Sequence, residues 1–204
     1  MRRMIHCLAV AATASFSTLA AQAPQPPKKY TPADVHFMSG MIYHHAQAIL
    51  IAGWAKSHGA SPTVQTLCDR IIASQTDEIN LLSNWLRARG EAVPHVDPQH
   101  MYMPGMSGMG GMDSSHMMPG MLTDQQLAQL DSAHGSAFDD TFLRLMIQHH
   151  QGAITMVNQL FAASGGEEEP VYKMATGVFA DQTTEIERMQ RMLANDLFGP
   201  TTPK

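Results

Sequence analysis

Two pairs of adjacent histidines are the strongest candidates in this chain for metal ligands. His44-His45 lies in the stretch MIYHHAQAI, and His149-His150 lies 105 positions later in MIQHHQGAI. Met41 and Met146 precede the pairs by three residues, which on a helix is side-chain contact distance. Thioether is a soft ligand that prefers Cu(I), and imidazole accepts both Cu(I) and Cu(II). The motif therefore indicates a copper site.

Helical geometry gives the two histidines of each pair different surroundings. At about 100° per residue, His45 and His150 fall on the inward face of their helices, whereas His44 and His149 fall on the adjacent stripe. We predict that the first two point into the core and that the other two point toward a seam or the surface. Met38, on the face of His45, is a further candidate ligand.

Two carboxylates are expected to pair with the inward histidines. Glu78 and Glu185 each lie in the middle of an apolar helical stripe, with a glutamine three residues before. An unpaired buried carboxylate costs several kcal/mol. We therefore predict buried contacts that join these two glutamates to His45 and His150, in either combination. Such a network could also be purely structural, because buried polar groups need partners whatever their function.

The elements that position these residues repeat. After each histidine pair, a second helical segment carries the pattern Gln-x-x-Glu-Ile, so each half of the chain reads as a helical hairpin. No segment alternates as a strand does. Two hairpins that bury their apolar faces against each other form a four-helix bundle, so we predict an all-α, ferritin-like fold.

The predicted boundaries follow from composition. Residues 1–23 resemble a secretory signal peptide, which predicts a periplasmic or secreted protein without stable membrane insertion after cleavage. A linker at 24–30 precedes one domain at 31–199, and residues 200–204 form a tail. Within the domain, hairpin 1 spans 31–90 and hairpin 2 spans 123–199. The first hairpin's opening helix is expected to reach about Ser57, and a break is possible at Gly135.

A loop at 91–122 is unusually rich in methionine. A solvated linker has little reason to carry thioethers, which invite oxidation. Their close spacing, with interspersed histidine, would let a flexible loop wrap a soft cation. The loop's candidate ligands are Met101, Met103, Met106, Met109, Met112, His116, Met117, Met118 and Met121.

Composition excludes several other classes of protein. The net charge of −5 argues against nucleic-acid binding. Once the signal peptide is removed, Cys68 is the one remaining cysteine, so no internal disulfide is expected, and we predict it to be buried. His36, His58 and His134 are predicted to be solvated.

These motifs resemble the DUF305 family of exported bacterial proteins. The resemblance rests on two copies of F-x3-M-I-x-HH-x2-A-I, each followed by Q-x2-EI, and covers about residues 31–197. It implies a ferritin-like bundle and a role in periplasmic copper binding and tolerance. The residues it implicates are Met41, His44, His45, Met146, His149, His150 and Met156. The family often has a second methionine at the position of Ile51.

We therefore expect a non-enzymatic protein that sequesters copper or hands it on, with a periplasmic copper chaperone, exporter or oxidase as candidate partner. One alternative is a ferritin-like metalloenzyme that uses Glu78, Glu185, His45 and His150, with Asp34 and Asp139 as further ligands. It lacks the Glu-x-x-His pattern of such sites. The other alternative is a structural bundle that uses its methionine-rich loop to bind partners.

Overall fold

The structure, a computed structural model, describes residues 30–97 and 117–198. Within these ranges the chain is all-α, as predicted, and contains no strand. Its helices are α1 (Pro32–Gly53), α2 (Pro62–Ala88), α3 (Asp124–Asp131), α4 (Ser136–Ala162) and α5 (Glu169–Phe198). α1 packs against α2, α4 packs against α5, and the two hairpins meet through α1 and α4. The predicted signal peptide and tail lie outside the described residues, and the domain boundaries stay predictions.

The helices depart from the predicted four in two places. The break that the sequence allowed at Gly135 is present, because its φ of 58° interrupts a right-handed helix, and the short α3 becomes a fifth helix. α1 ends at Gly53 rather than near Ser57, and the turns that follow carry His58 back against Trp54 and α3. The prediction that His58 is solvated is wrong. Its ring is buried and contacts the main-chain oxygens of Trp54 and Asp131 at 2.9 and 3.0 Å.

Two equivalent aspartates fasten the hairpins to each other. Asp34, at the start of α1, accepts a hydrogen bond of 2.6 Å from the backbone N–H of Gly166, in the loop of the other hairpin. Asp139, at the start of α4, accepts from the backbone N–H of Ser61 at 3.2 Å. Because each carboxylate serves a loop that needs a hydrogen-bond acceptor, both residues have a structural role where they stand.

The apolar core is divided into two clusters along the bundle. On α1, apolar residues between 37 and 42 belong to one cluster, and apolar residues from 48 onward belong to the other. The same division occurs on the other three long helices, and in each case polar residues occupy the intervening turn. No helix within the described ranges combines the length and hydropathy needed to span a bilayer.

Candidate metal-binding site

The intervening turns of the four long helices together form a polar layer between the two apolar clusters. It comprises two histidines from α1, two from α4, and one glutamine and one glutamate each from α2 and α5. The four imidazoles are 0% exposed, and the glutamines are nearly as deeply buried. The members of the polar layer are His44, His45, Gln75, Glu78, His149, His150, Gln182 and Glu185.

Each hairpin supplies its own histidine–glutamate pair. His45 Nε2 lies 2.6 Å from Glu78 Oε2, and His150 Nε2 lies 2.6 Å from Glu185 Oε2. The second contact is a hydrogen bond, whereas the first is short but lacks the alignment of one. The predicted contacts are confirmed, and the pairing runs within each hairpin rather than between them.

His44 and His149 lie at the seam between α1 and α4, one of the two positions expected from their helical faces, and neither is at the surface. Their rings pack against each other with centroids 3.8 Å apart, where α1 meets α4. The stripe that carries them is covered by the opposite hairpin, so both rings are fully buried. The second histidine-bearing stripe of each helix therefore faces the interface between the two hairpins.

Burial controls the charge of this central pair. Removal from water lowers the pKa of His44 well below 6.5, and the nearby His45 and His150 rings lower it further. The pKa of His149 is lowered by burial first and then by the neighbouring histidines. Both rings are thus held neutral, which is the form in which imidazole offers a lone pair to a metal.

The polar layer contains many unsatisfied polar atoms, although buried polar groups in proteins are nearly always paired. The Nδ1 atoms of all four histidines lack a hydrogen-bond partner, as do His149 Nε2, His45 Nε2 and Glu78 Oε2. Both amide atoms of Gln75 and the amide oxygen of Gln182 are also without one. Buried atoms of this kind offer donors and acceptors to an ordered water or a bound ion.

The end of the methionine-rich loop closes over the central histidines. We name residues 117–122 the docked segment. The carbonyl oxygen of Pro119 lies 3.1 Å from His44 Nε2. The side chain of Gln47 donates to the Leu122 carbonyl at 3.0 Å and accepts from the Leu122 N–H at 2.7 Å. The docked segment thus fixes the orientation of one imidazole and excludes solvent from it.

A glycine on α4 makes room for the docked segment. A Cβ atom at Gly152 would lie 1.9 Å from the Pro119 carbonyl oxygen and 2.5 Å from Gly120 Cα. Because both obstacles are backbone, Gly152→Ala is expected to destabilise the protein by about 1–3 kcal/mol in urea unfolding. The matched control is Gly177→Ala, where an added Cβ meets nothing within 4 Å and helix propensity favours alanine. Equal stability of the two variants would contradict the packing of the docked segment.

The structure separates the candidate methionines into two groups. Met38, Met41 and Met156 belong to one apolar cluster, together with Met118 of the docked segment. Met146 belongs to the other cluster. Met121 is buried and Met117 is exposed. The remaining loop candidates, Met101, Met103, Met106, Met109, Met112 and His116, lie outside the described residues.

Several features of the site were not found from sequence. The Pro119 carbonyl, Gln47 and Gly152 help to build it. The one local signal in the sequence was that Gly152 stands in the second copy of the motif where the first copy has Gln47. Cys68 is buried as predicted, and burial with nearby acidic groups raises the pKa of its thiol from 9.0 to about 12. Its thiol is therefore protonated in the metal-free protein.

Nitrogen and oxygen donors alone do not complete a metal site in this arrangement. Among the residues that the structure describes, no group of three or more His, Cys, Asp or Glu side chains is placed to hold an ion. Met41 and Met146, which carry sulfur donors, lie one helical turn before the histidine pairs.

The fold and the polar layer define a class of helical bundle in which two like hairpins enclose buried histidine–glutamate pairs. Residues 34–193 match DUF305, a domain of unknown function. The chain belongs to the DUF305 family, as its paired motifs predicted.

Solved structures of similar proteins cover most of this chain. A DUF305 fragment from Deinococcus radiodurans is 28% identical, covers 83% of this chain and 99% of its own, and has a TM-score of 0.65. A DUF305 protein from Streptomyces coelicolor, described as secreted, is 26% identical over 80% and 93% of the two chains, with a TM-score of 0.64. CopM in its Cu(I)-bound form is 26% identical, covers 79% of this chain and 96% of its own, and has a TM-score of 0.58. CopM has also been solved with Cu(II) and with Ag.

A viral protein shows a more local similarity. The uncharacterized protein L153 of Acanthamoeba polyphaga mimivirus is 36% identical over 56 residues, which are 28% of this chain. The match spans 37% of that relative's length. This similarity is local and indicates no activity.

Proposed function

We propose that this chain is an exported copper-binding protein that takes up Cu(I), and also Cu(II), through methionine and histidine side chains. It would lower free copper or hand the ion on, and so contribute to copper tolerance. The likeness to CopM, which binds copper and silver, supports the choice of metal. The thioether content of the chain favours Cu(I).

One observation carries the proposal. In His44 and His150, Nε2 is hydrogen-bonded to an oxygen atom, and in each ring Nδ1 is buried without a partner. A carbonyl or carboxylate oxygen accepts, so Nε2 carries the hydrogen and the Nδ1 lone pair is left free. Metal-ligating histidines characteristically donate their other N–H to such an oxygen, which fixes the tautomer and the ring orientation.

The test is a Cu(I) titration of the metal-free protein against a chromophoric Cu(I) chelator. The wild-type chain is expected to bind Cu(I), and Met41→Leu combined with Met146→Leu is expected to weaken binding at least about tenfold. Leucine nearly conserves the volume of methionine, so the fold is retained. Met189→Leu is the matched control, because Met189 is equally buried but follows the polar layer without a histidine beside it on α5.

Two results would overturn the proposal. Equilibrium dialysis in which the wild-type chain retains neither Cu(I) nor Ag(I) would remove its basis. Tightly held iron or manganese in the protein as purified would favour the metalloenzyme instead. That alternative has lost two of its candidate ligands, since Asp34 and Asp139 are engaged with the loops of the opposite hairpins.

A further inference from the structure

A cavity of about 230 Å³ lies between α1, α4 and the docked segment. Two thioethers and one imidazole are among its lining side chains: Met118 from the docked segment, Met156 from α4 and His36 from α1. His36 is exposed, Met118 is half-buried and Met156 is buried. The cavity therefore connects solvent with sulfur atoms of the apolar cluster.

A glycine on α1 brings the two methionines together. Gly40 lies one turn after His36, and a Cβ built on it would be 3.0 Å from Met118 Sδ and 3.3 Å from Met156 Cε. Both side chains thus converge on the same small patch of helix backbone. Glycine disfavours a helix interior, and here its missing side chain is what admits the thioethers.

The sulfur of the neighbouring Met121 is differently placed. Met121 Sδ accepts a contact of 3.3 Å from the Met118 backbone N–H, and the side chain is 4% exposed. This sulfur is thus engaged by the backbone of the docked segment itself. Met118 and Met121 therefore belong to the same short segment, but only Met118 lines the cavity.

We propose that this cavity is an accessible entry site for one monovalent soft cation, Cu(I) or Ag(I), held by Met118, Met156 and His36. Two thioethers and an imidazole form a soft, neutral donor set that suits Cu(I) better than Cu(II) or Zn(II). The site shares no ligand with the polar layer. Pro119 joins the two, because it lines the cavity and its carbonyl faces His44. This inference rests on the proposed function and locates the point at which copper first binds.

The test uses the full chain labelled with ¹³C at the methionine methyl groups and titrated with Ag(I), which is diamagnetic. The first equivalent of Ag(I) is expected to shift the methyl resonances of Met118 and Met156 and the ring resonances of His36. Met118→Leu and Met156→Leu assign these signals, and together they should weaken binding of that first ion at least about tenfold. His36→Asn should weaken it in the same direction, whereas Met121→Leu should leave it unchanged.

The outcomes separate the two proposals. If Ag(I) and Cu(I) bind but the first equivalent leaves the Met118 and Met156 methyl signals unmoved, the entry site is wrong and the proposed function stands. If Met121→Leu weakens binding as much as Met118→Leu, the loss comes from the docked segment as a whole and the site is again wrong. If the wild-type chain binds neither ion, the proposed function itself fails.

Discussion

Lowering the pH from about 7.5 to about 5 is expected to reduce the free energy of unfolding of the metal-free protein by up to about 4 kcal/mol through His44 and His149. Burial, followed by the neighbouring histidines, depresses the pKa of both rings in the folded protein. The unfolded chain takes up protons as the pH falls through about 6.5, whereas the folded rings stay neutral. Their stabilisation is therefore complete above that pH and is lost below it.

Urea unfolding followed by circular dichroism, with a chelator present, measures this dependence. His149→Phe, which removes one of the two rings, should roughly halve the slope between about pH 6.5 and 5. His134→Asn changes an exposed histidine and serves as the control. The pKa of Asp181 is raised by partial burial and by Glu78 and Glu185, so this carboxyl opposes the trend at the acidic end. A stability that is flat across the range would contradict the buried pair.

Replacing His45 with leucine is expected to destabilise the protein by about 3 kcal/mol. The imidazole is fully buried 2.6 Å from a Glu78 side chain that is only 14% exposed. Without the ring, this carboxylate is left largely desolvated and without its partner. His150→Leu should behave in the same way, because Glu185 is 18% exposed and equally close.

A double-mutant cycle shows whether the loss comes from the orphaned carboxylate. His45→Leu combined with Glu78→Leu should recover most of the stability, since apolar residues can replace a buried pair at little cost. Additive losses in the double variant would indicate that the pair contributes nothing beyond packing. For His44 and His149 we expect the opposite order of effects. Their replacement should reduce Cu(I) affinity more than it reduces the free energy of unfolding.

The sequence predicted the parts of the site that depend on one hairpin. Glu78 interrupts an apolar stripe, and a buried carboxylate needs a partner, so its contact with an inward histidine followed from helical spacing. The repeat made the same argument for Glu185. The two hairpins and the histidine-bearing faces of α1 and α4 followed from the same pattern.

The parts that depend on contacts between distant segments did not follow. A helical wheel shows which side of α1 carries His44, but not that α4 and the docked segment cover that side. His58 lies in a turn whose hydrogen-bond partner on α3 is 73 residues away. Met118 and Met156 likewise meet at Gly40 only because the docked segment returns to α1. Local periodicity contains no information on these long-range contacts.

The meeting of His44 with His149 gives the interface between the hairpins the form of a symmetric dimer whose two subunits have been joined in one chain. In a dimer of identical subunits, every substitution appears twice. Joining the subunits removes this restriction, and equivalent positions of the two halves now carry different residues. Met156 lies beside the cavity, whereas its counterpart Ile51 packs into the opposite apolar cluster. At this position the second half of the chain lines the cavity, whereas the first half supplies only core packing.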